Sequence, residues 1–266
     1  GDQGIFVQEV SENGTGLGTK DFGSNKFTGN SLVKYFGQTV LCGVGSEKVL
    51  IQYYDSGTKA EYQIDNAIVG HVNSDGQNIV LTGIQGEHAF LARLDNQGPG
   101  IETLIEFSEG DDDNEDFGHK IKPTEQGYVI IGETRYDVNA PVATRFDKDF
   151  LVIFSDGDVT GHKWVKNFGA SGGDEVANDF VQTDDGDLVV VGYTDSQGSG
   201  QKDVYILKLD QNGNVLDSKT YGGSSDDVAT SIQQTQDGGF IIAGWTRSFG
   251  NGSQAYLLKL NADLEL

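Results

Sequence analysis

The chain has 266 residues, of which 38 are glycine and only 3 proline, with 36% hydrophobic and 22% charged residues. That balance favours many short strands joined by tight turns over long helices. The net charge of −23 repels nucleic-acid phosphates and anionic lipid heads, which excludes nucleic acid as a partner, and no apolar run approaches the roughly 18 residues a membrane-spanning helix needs.

The chain opens on residues 5–10, an apolar segment closed by Ser11-Glu12-Asn13-Gly14, and continues through Lys20-Asp21-Phe22-Gly23. The pattern matches residues 204–213 and the segment after them, so the chain starts on the third and fourth strands of a repeating unit. Five strands ending in glycine then follow. They are Thr39 to Gly43, Ile79 to Gly83, Val129 to Gly132, Leu188 to Gly192 and Phe240 to Gly244. Their spacing is irregular, as loop insertions make a fixed unit. Four are preceded by a turn, at Asp75-Gly76, Gln126-Gly127, Asp185-Gly186 and Asp237-Gly238, the hairpin signal in which glycine supplies the positive φ. The first copy has only Phe36-Gly37-Gln38 in that place.

A third strand is expected over residues 49–53, 89–94, 150–154, 204–209 and 256–260. Turns such as Asp95-Asn96-Gln97-Gly98 and Asp210-Gln211-Asn212-Gly213 then lead to a fourth strand ending at Tyr62, Phe107, Phe168 or Tyr221. The Asp210 turn has a faint calcium-loop look, but it lacks the later bidentate Glu, and a hairpin is expected. The runs are nearly all apolar, as in sheets covered on both faces by neighbours. Such sheets stack around an axis, so the expected fold is an all-β propeller in one domain, residues 1–266. Five blades are preferred and six are possible, with the N-terminal strands completing the last blade so that no inner edge is left free.

Cys42, the single cysteine, sits in an apolar run and is expected to be a buried small hydrophobe. The chain lacks methionine, so a processed or trimmed product is expected.

Residues 164–209 and 221–260 carry Trp164-Val165-Lys166-Asn167-Phe168-Gly169, Tyr221-Gly222-Gly223, Asp174, Gly192-Tyr193-Thr194, Asp203 and Lys208-Leu209-Asp210. These residues resemble the bacterial secreted β-propeller repeat common in Bacteroidota. The resemblance is close over the last hundred residues and thin before them. It implies a propeller on an exported or surface-anchored protein, located outside the cytoplasm, and carries no activity with it.

Three acidic pairs, Glu115-Asp116, Asp174-Glu175 and Asp226-Asp227, occupy one place in successive copies, and Asp111-Asp112-Asp113 adds charge beside the first. If their loops gather at one mouth of the channel, the converging carboxylates would suit Ca²⁺. The competing reading has each carboxylate capping its own turn. His71, His88, His119 and His162 have no partner at metal-ligand spacing. No nucleophile-elbow motif is present. The links between second and third strands break the repeat at residues 135–141, 197–201 and 249–252. Tyr136, Tyr193, Trp245 and Arg247 nearby could form an aromatic, hydrogen-bonding face, or could pack between blades. A non-catalytic module binding a glycan or a protein at the bacterial surface, and acting as a monomer, is the expected function. The alternatives are a carbohydrate-active hydrolase using funnel carboxylates and a structural spacer.

Overall fold

Runs of β-branched and aromatic residues become strands throughout the computed structural model, which describes residues 6–10, 16–21, 28–36, 38–53, 59–94, 100–107, 115–137, 146–170 and 172–266. Among these residues there is no helix, and so none long and apolar enough to cross a membrane. The strands are β1 (Phe6–Val10), β2 (Gly16–Asp21), β3 (Thr28–Tyr35), β4 (Gln38–Tyr53), β5 (Lys59–Ser74), β6 (Ile79–Gln85), β7 (His88–Leu94) and β8 (Ile101–Phe107). They continue as β9 (Glu115–Thr124), β10 (Gly127–Asp137), β11 (Phe146–Asp156), β12 (His162–Phe168), β13 (Glu175–Gln182), β14 (Leu188–Thr194), β15 (Asp203–Leu209), β16 (Val215–Tyr221), β17 (Asp227–Gln234), β18 (Phe240–Thr246) and β19 (Gln254–Leu260).

Two units have the expected four antiparallel strands, β9-β10-β11-β12 and β13-β14-β15-β16. The last has three, β17-β18-β19, and β1 pairs with β2 as a separate hairpin. The first two units depart from expectation. The first unit's second and third strands run together as the sixteen-residue β4, and its fourth strand and the second unit's first as the sixteen-residue β5, giving one six-stranded sheet, β3 to β8. Here the glycine strand leads straight on through Val44-Gly45-Ser46 into the expected third strand. The first part of β4 pairs with β3, and residues 48–52 pair with residues 59–63 of β5.

A single device recurs in the first strand of every unit. β3, the second half of β5, β9, β13 and β17 each carry a bulge, which leaves Asn30, Gly70, His119, Asn178 and Thr230 without a partner in the register. Opposite each bulge stands the glycine that ends the neighbouring strand: Gly43, Gly83, Gly132, Gly192 or Gly244. A bulge bends its strand and pushes backbone toward the partner. A Cβ on Gly192 would overlap the Val176 carbonyl oxygen and lie 2.9 Å from its carbon, and one on Gly244 would meet Val228 in the same way. The most regular mark in the sequence is therefore a backbone approach that only glycine tolerates.

The bulged strands lie side by side in chain order, and polar side chains tie each to the next. Asn30 Nδ2 donates to the Gly70 carbonyl and Ser31 Oγ to that of Val72. Asn73 Nδ2 donates to the Ile121 carbonyl, and Asn178 Nδ2 to that of Ala229. Between successive sheets lie the apolar clusters, built on Phe90, Phe107, Phe150, Phe154, Phe180 and Phe240. Cys42 is buried among them, and burial pushes its thiol up to about 12.

Candidate functional site

The three acidic pairs do lie at equivalent places, each where its loop enters a first strand. The second member of each pair is buried and bound by a hydroxyl of the second strand or of the link that follows it. Asp116 accepts from Thr134 Oγ1 at 2.6 Å. Glu175 accepts from Thr194 Oγ1, Ser196 Oγ and the Ala170 amide. Asp227 accepts from Ser248 Oγ at 2.5 Å and from the Gly223 amide at 2.7 Å. The register explains the repetition, because Asp116, Glu175 and Asp227 pair across the ladder with Thr134, Thr194 and Thr246.

The first members take local partners too. Glu115 faces Arg135 at 3.7 Å, the Asp174 amide donates to Asp195, and Asp226 meets Arg247 at 2.8 Å. Among the described residues, no group of three or more His, Cys, Asp or Glu side chains is arranged to hold a metal ion. Residues 111–113 lie outside the described residues, as do 138–141 and the turn at residues 95–98. The Asp210 turn is a hairpin: Asp210 Oδ1 accepts from the amides of Asn212 and Asn214, and Gly213 has φ +70°. Its carbonyls are engaged by Trp164 and Lys166 of the preceding unit.

The aromatic residues fall into register as well. Glu133, Tyr193 and Trp245 each follow the repeat glycine directly, and Arg135 and Arg247 stand two places further on. Tyr193 and Trp245 are half-buried, and a cation covers each ring: Lys202 Nζ lies 4.0 Å from the Tyr193 centroid and the Arg247 guanidinium 5.1 Å from that of Trp245. Tyr136 lies near the end of β10, paired with Asp147. At the equivalent position, buried Glu133 binds Arg135 and Lys148, with His119 at 3.5 Å. Burial works to raise the Glu133 carboxyl, but His119, Lys148 and Arg135 together hold it below the usual carboxylate range.

A constellation not anticipated from the sequence joins successive units. A Cβ on Gly222 would lie 2.7 Å from Asp227 Oδ2 and closer still to Asp203 Oδ1. Gly169 stands in the same relation to Glu175 Oε2, at 2.7 Å, and to Asp149 Oδ1, closer again. Each glycine is thus wedged between a third-strand carboxylate and the first-strand carboxylate of the next unit. The available signal was the recurrence of an aspartate at the start of the third strand together with the glycine after the fourth, residues that the repeat pattern names but does not place together.

At the opposite end of the first strands, a cleft of about 650 Å³ opens between β9 and β13. Pro123, Thr124, Phe180, Thr183 and the carboxylates of Asp75 and Asp184 line it. Deeper in, Lys122 and Lys120 meet Asp179 at 2.6 and 2.9 Å. Burial works to raise the Asp179 carboxyl, but the two ammonium groups outweigh it and hold the carboxyl low. His71 lies beside them, and burial followed by the charges of Lys120 and Lys122 lowers its imidazole to about 4.

Residues 183–215 and 235–266 match the family model described as "Domain of unknown function (DUF5122) beta-propeller". No curated protein matches the chain. Among solved structures, a protein of unknown function from Bacteroides caccae is similar at 11% identity and a TM-score of 0.57, over 96% of this chain and 85% of that one. The Dos1 propeller is similar at 12% identity and 0.57, over 97% and 60%. The extracellular domain of a protein assigned as a one component system from B. thetaiotaomicron is similar at 12% identity and 0.51, over 96% of this chain but only 32% of that one. At such identities the likeness concerns the fold alone. The chain is an all-β, propeller-like protein.

Proposed function

We propose that this chain is a non-catalytic binding module of an exported or surface-anchored bacterial protein, and that it takes a glycan or a protein on the face bearing Tyr193, Trp245 and Arg247. The observation that carries the reading is the exposed Arg247 guanidinium, stacked on Trp245 and paired with Asp226. Planar, oriented donors beside an aromatic ring suit hydroxyl-rich or carboxylate-bearing ligands. The hydrolase alternative gains nothing from the aligned carboxylates, since Asp116, Glu175 and Asp227 are buried and hydrogen-bonded to Thr134, Thr194 and Ser248. A location outside the cytoplasm accords with the extracellular domain among the similar structures.

The scaffold of this reading is a single five-bladed ring over residues 1–266. Its support is a pair of bare faces. On β15, Val204 and Ile206 are covered by the following unit, with Ile206 0% exposed. The equivalent Leu257 on β19 is 64% exposed. On the bulged strands, Val72, Ile121, Phe180 and Ile232 are buried, whereas the equivalent Leu32 on β3 is 53% exposed. Both faces are bare among the described residues, so each supplies what the other needs. The β1-β2 hairpin would complete the three-stranded last sheet.

A glycan array probed with the wild type and with a Trp245→Ala/Arg247→Ala variant tests the function. A defined set of glycans bound by the wild type and lost in a variant of unchanged Tm supports the reading. Identical wild-type and variant profiles would remove this face from the function.

A further inference from the structure

Asp203 and Asp227 belong to successive units, and their carboxylates meet across Gly222. Both are buried, Asp203 1% and Asp227 0% exposed. Neither has a lysine or arginine partner among the described residues. Asp203 Oδ2 accepts from the amides of Ser199 and Gly200, and Asp227 Oδ2 from Ser248 Oγ and the Gly223 amide. Asp227 Oδ1 is buried without a hydrogen-bond partner. Two desolvated carboxylates side by side repel, and a buried acceptor left unmade costs free energy. Four neutral donors on two of the oxygens reduce that cost without cancelling the charge.

We propose that a calcium ion bridges Asp203 and Asp227 at the junction between the last two units. Hard carboxylate oxygens select a hard cation, and Ca²⁺ tolerates irregular coordination completed by water. Only two protein carboxylates take part, so the affinity falls in the range of extracellular modules, on the order of 10⁻⁴–10⁻³ M. The Asp149–Gly169–Glu175 junction one unit earlier has the same glycine wedge, but there both Glu175 oxygens already accept hydrogen bonds, so it holds no ion. The site is neither the adjacent pair Asp226-Asp227 nor a convergence of the three acidic pairs, but a clamp between units. It is independent of which ligand the Trp245 face takes.

The experiment uses the whole chain stripped with chelator. Calcium at tenfold over its Kd raises Tm by about 3 °C in the wild type, and Asp203→Asn abolishes the rise, while Asp210→Asn, in an exposed hairpin, keeps it. Tb³⁺ gives a second readout that does not depend on a folded Asp203 variant. Tyr221 adjoins Gly222 in the chain and the charges of both carboxylates act on Tyr256, so bound Tb³⁺ shows tyrosine-sensitised emission that Ca²⁺ displaces. A wild-type Tm indifferent to calcium, a calcium response that survives in Asp203→Asn, or Tb³⁺ emission that Ca²⁺ does not displace overturns the proposal.

Discussion

The carbonyl group of Val176 fills the space that a side chain on Gly192 would need, with its carbon 2.9 Å from the position of a Cβ. The cause is the bulge at Asn178, which breaks the register between Ala177 and Asp179 and drives the first strand toward the second. Because the obstacle is backbone, it cannot swing aside as a flexible side chain would.

Gly192→Ala is therefore expected to cost about 3 kcal/mol, the upper part of the range for overpacking a dense interior. Gly186→Ala is expected to cost about 1 kcal/mol, from its φ of +87° and a neighbour, Gln211, that can move. Urea denaturation monitored by tryptophan fluorescence measures both. Equal costs at the two positions would mean that the bulge relaxes.

The Asp179 carboxyl is held low by Lys122 and Lys120 against the effect of burial. A depressed acid contributes stability that is present above its unfolded pKa of 3.8 and lost as pH falls through the folded value. Asp179→Asn should destabilise at neutral pH by about 2 kcal/mol, less than a fully buried pair would lose because both lysines are partly exposed. The variant should also show a flatter loss of stability below pH 3.8 than the wild type. Thermal melts across acid pH compare the two profiles.

His71 acts in a different window. Its imidazole is lowered from 6.5 to about 4, first by burial and then by Lys120 and Lys122. Between those values the unfolded chain takes up a proton that the folded chain refuses, so stability falls as pH drops from 6.5 toward 4 and levels off below. The expected loss is about 2–3 kcal/mol. His71→Gln, which keeps an acceptor for the Ile121 amide, should remove this part of the pH dependence and leave the Asp179 part intact. The imidazole resonances of the wild type should show a neutral ring at pH 5.5 or so.

Most of the architecture was legible because it rests on local rules. Asp-Gly turns reverse strands wherever they occur, and Gly186 and Gly238 take the positive φ those turns require. Where that turn is absent, at Phe36-Gly37-Gln38, the first and second strands still pair, but after Gly43 the expected second hairpin does not form and β4 runs straight through. The candidate site was less legible because its contacts are non-local. A repeat pattern shows that Asp203 and Asp227 recur, but not that Gly222 lets them meet. Nor does it show that Lys202 and Arg247 would fold back over Tyr193 and Trp245. The second members of the acidic pairs recur in sequence because each pairs across the ladder with an equivalent threonine, Thr134, Thr194 or Thr246.

Ring closure makes the sharpest prediction about stability. Leu257 and Leu32 are apolar at positions whose counterparts, Ile206 on one side and Val72, Ile121, Phe180 and Ile232 on the other, are buried in the interior units. If the two ends of the array meet, both leucines leave water, and burying each side chain contributes about 1.5–3 kcal/mol. Leu257→Asp and Leu32→Asp should then each destabilise by at least that amount, since a carboxylate would be trapped at an apolar junction. The double variant should cost less than the sum of the two, because both act on one interface. If the ends stay apart, an exposed leucine exchanged for aspartate changes stability by less than about 0.5 kcal/mol. Chemical denaturation of the three variants decides between these outcomes, and two near-neutral single variants would eliminate the closed ring.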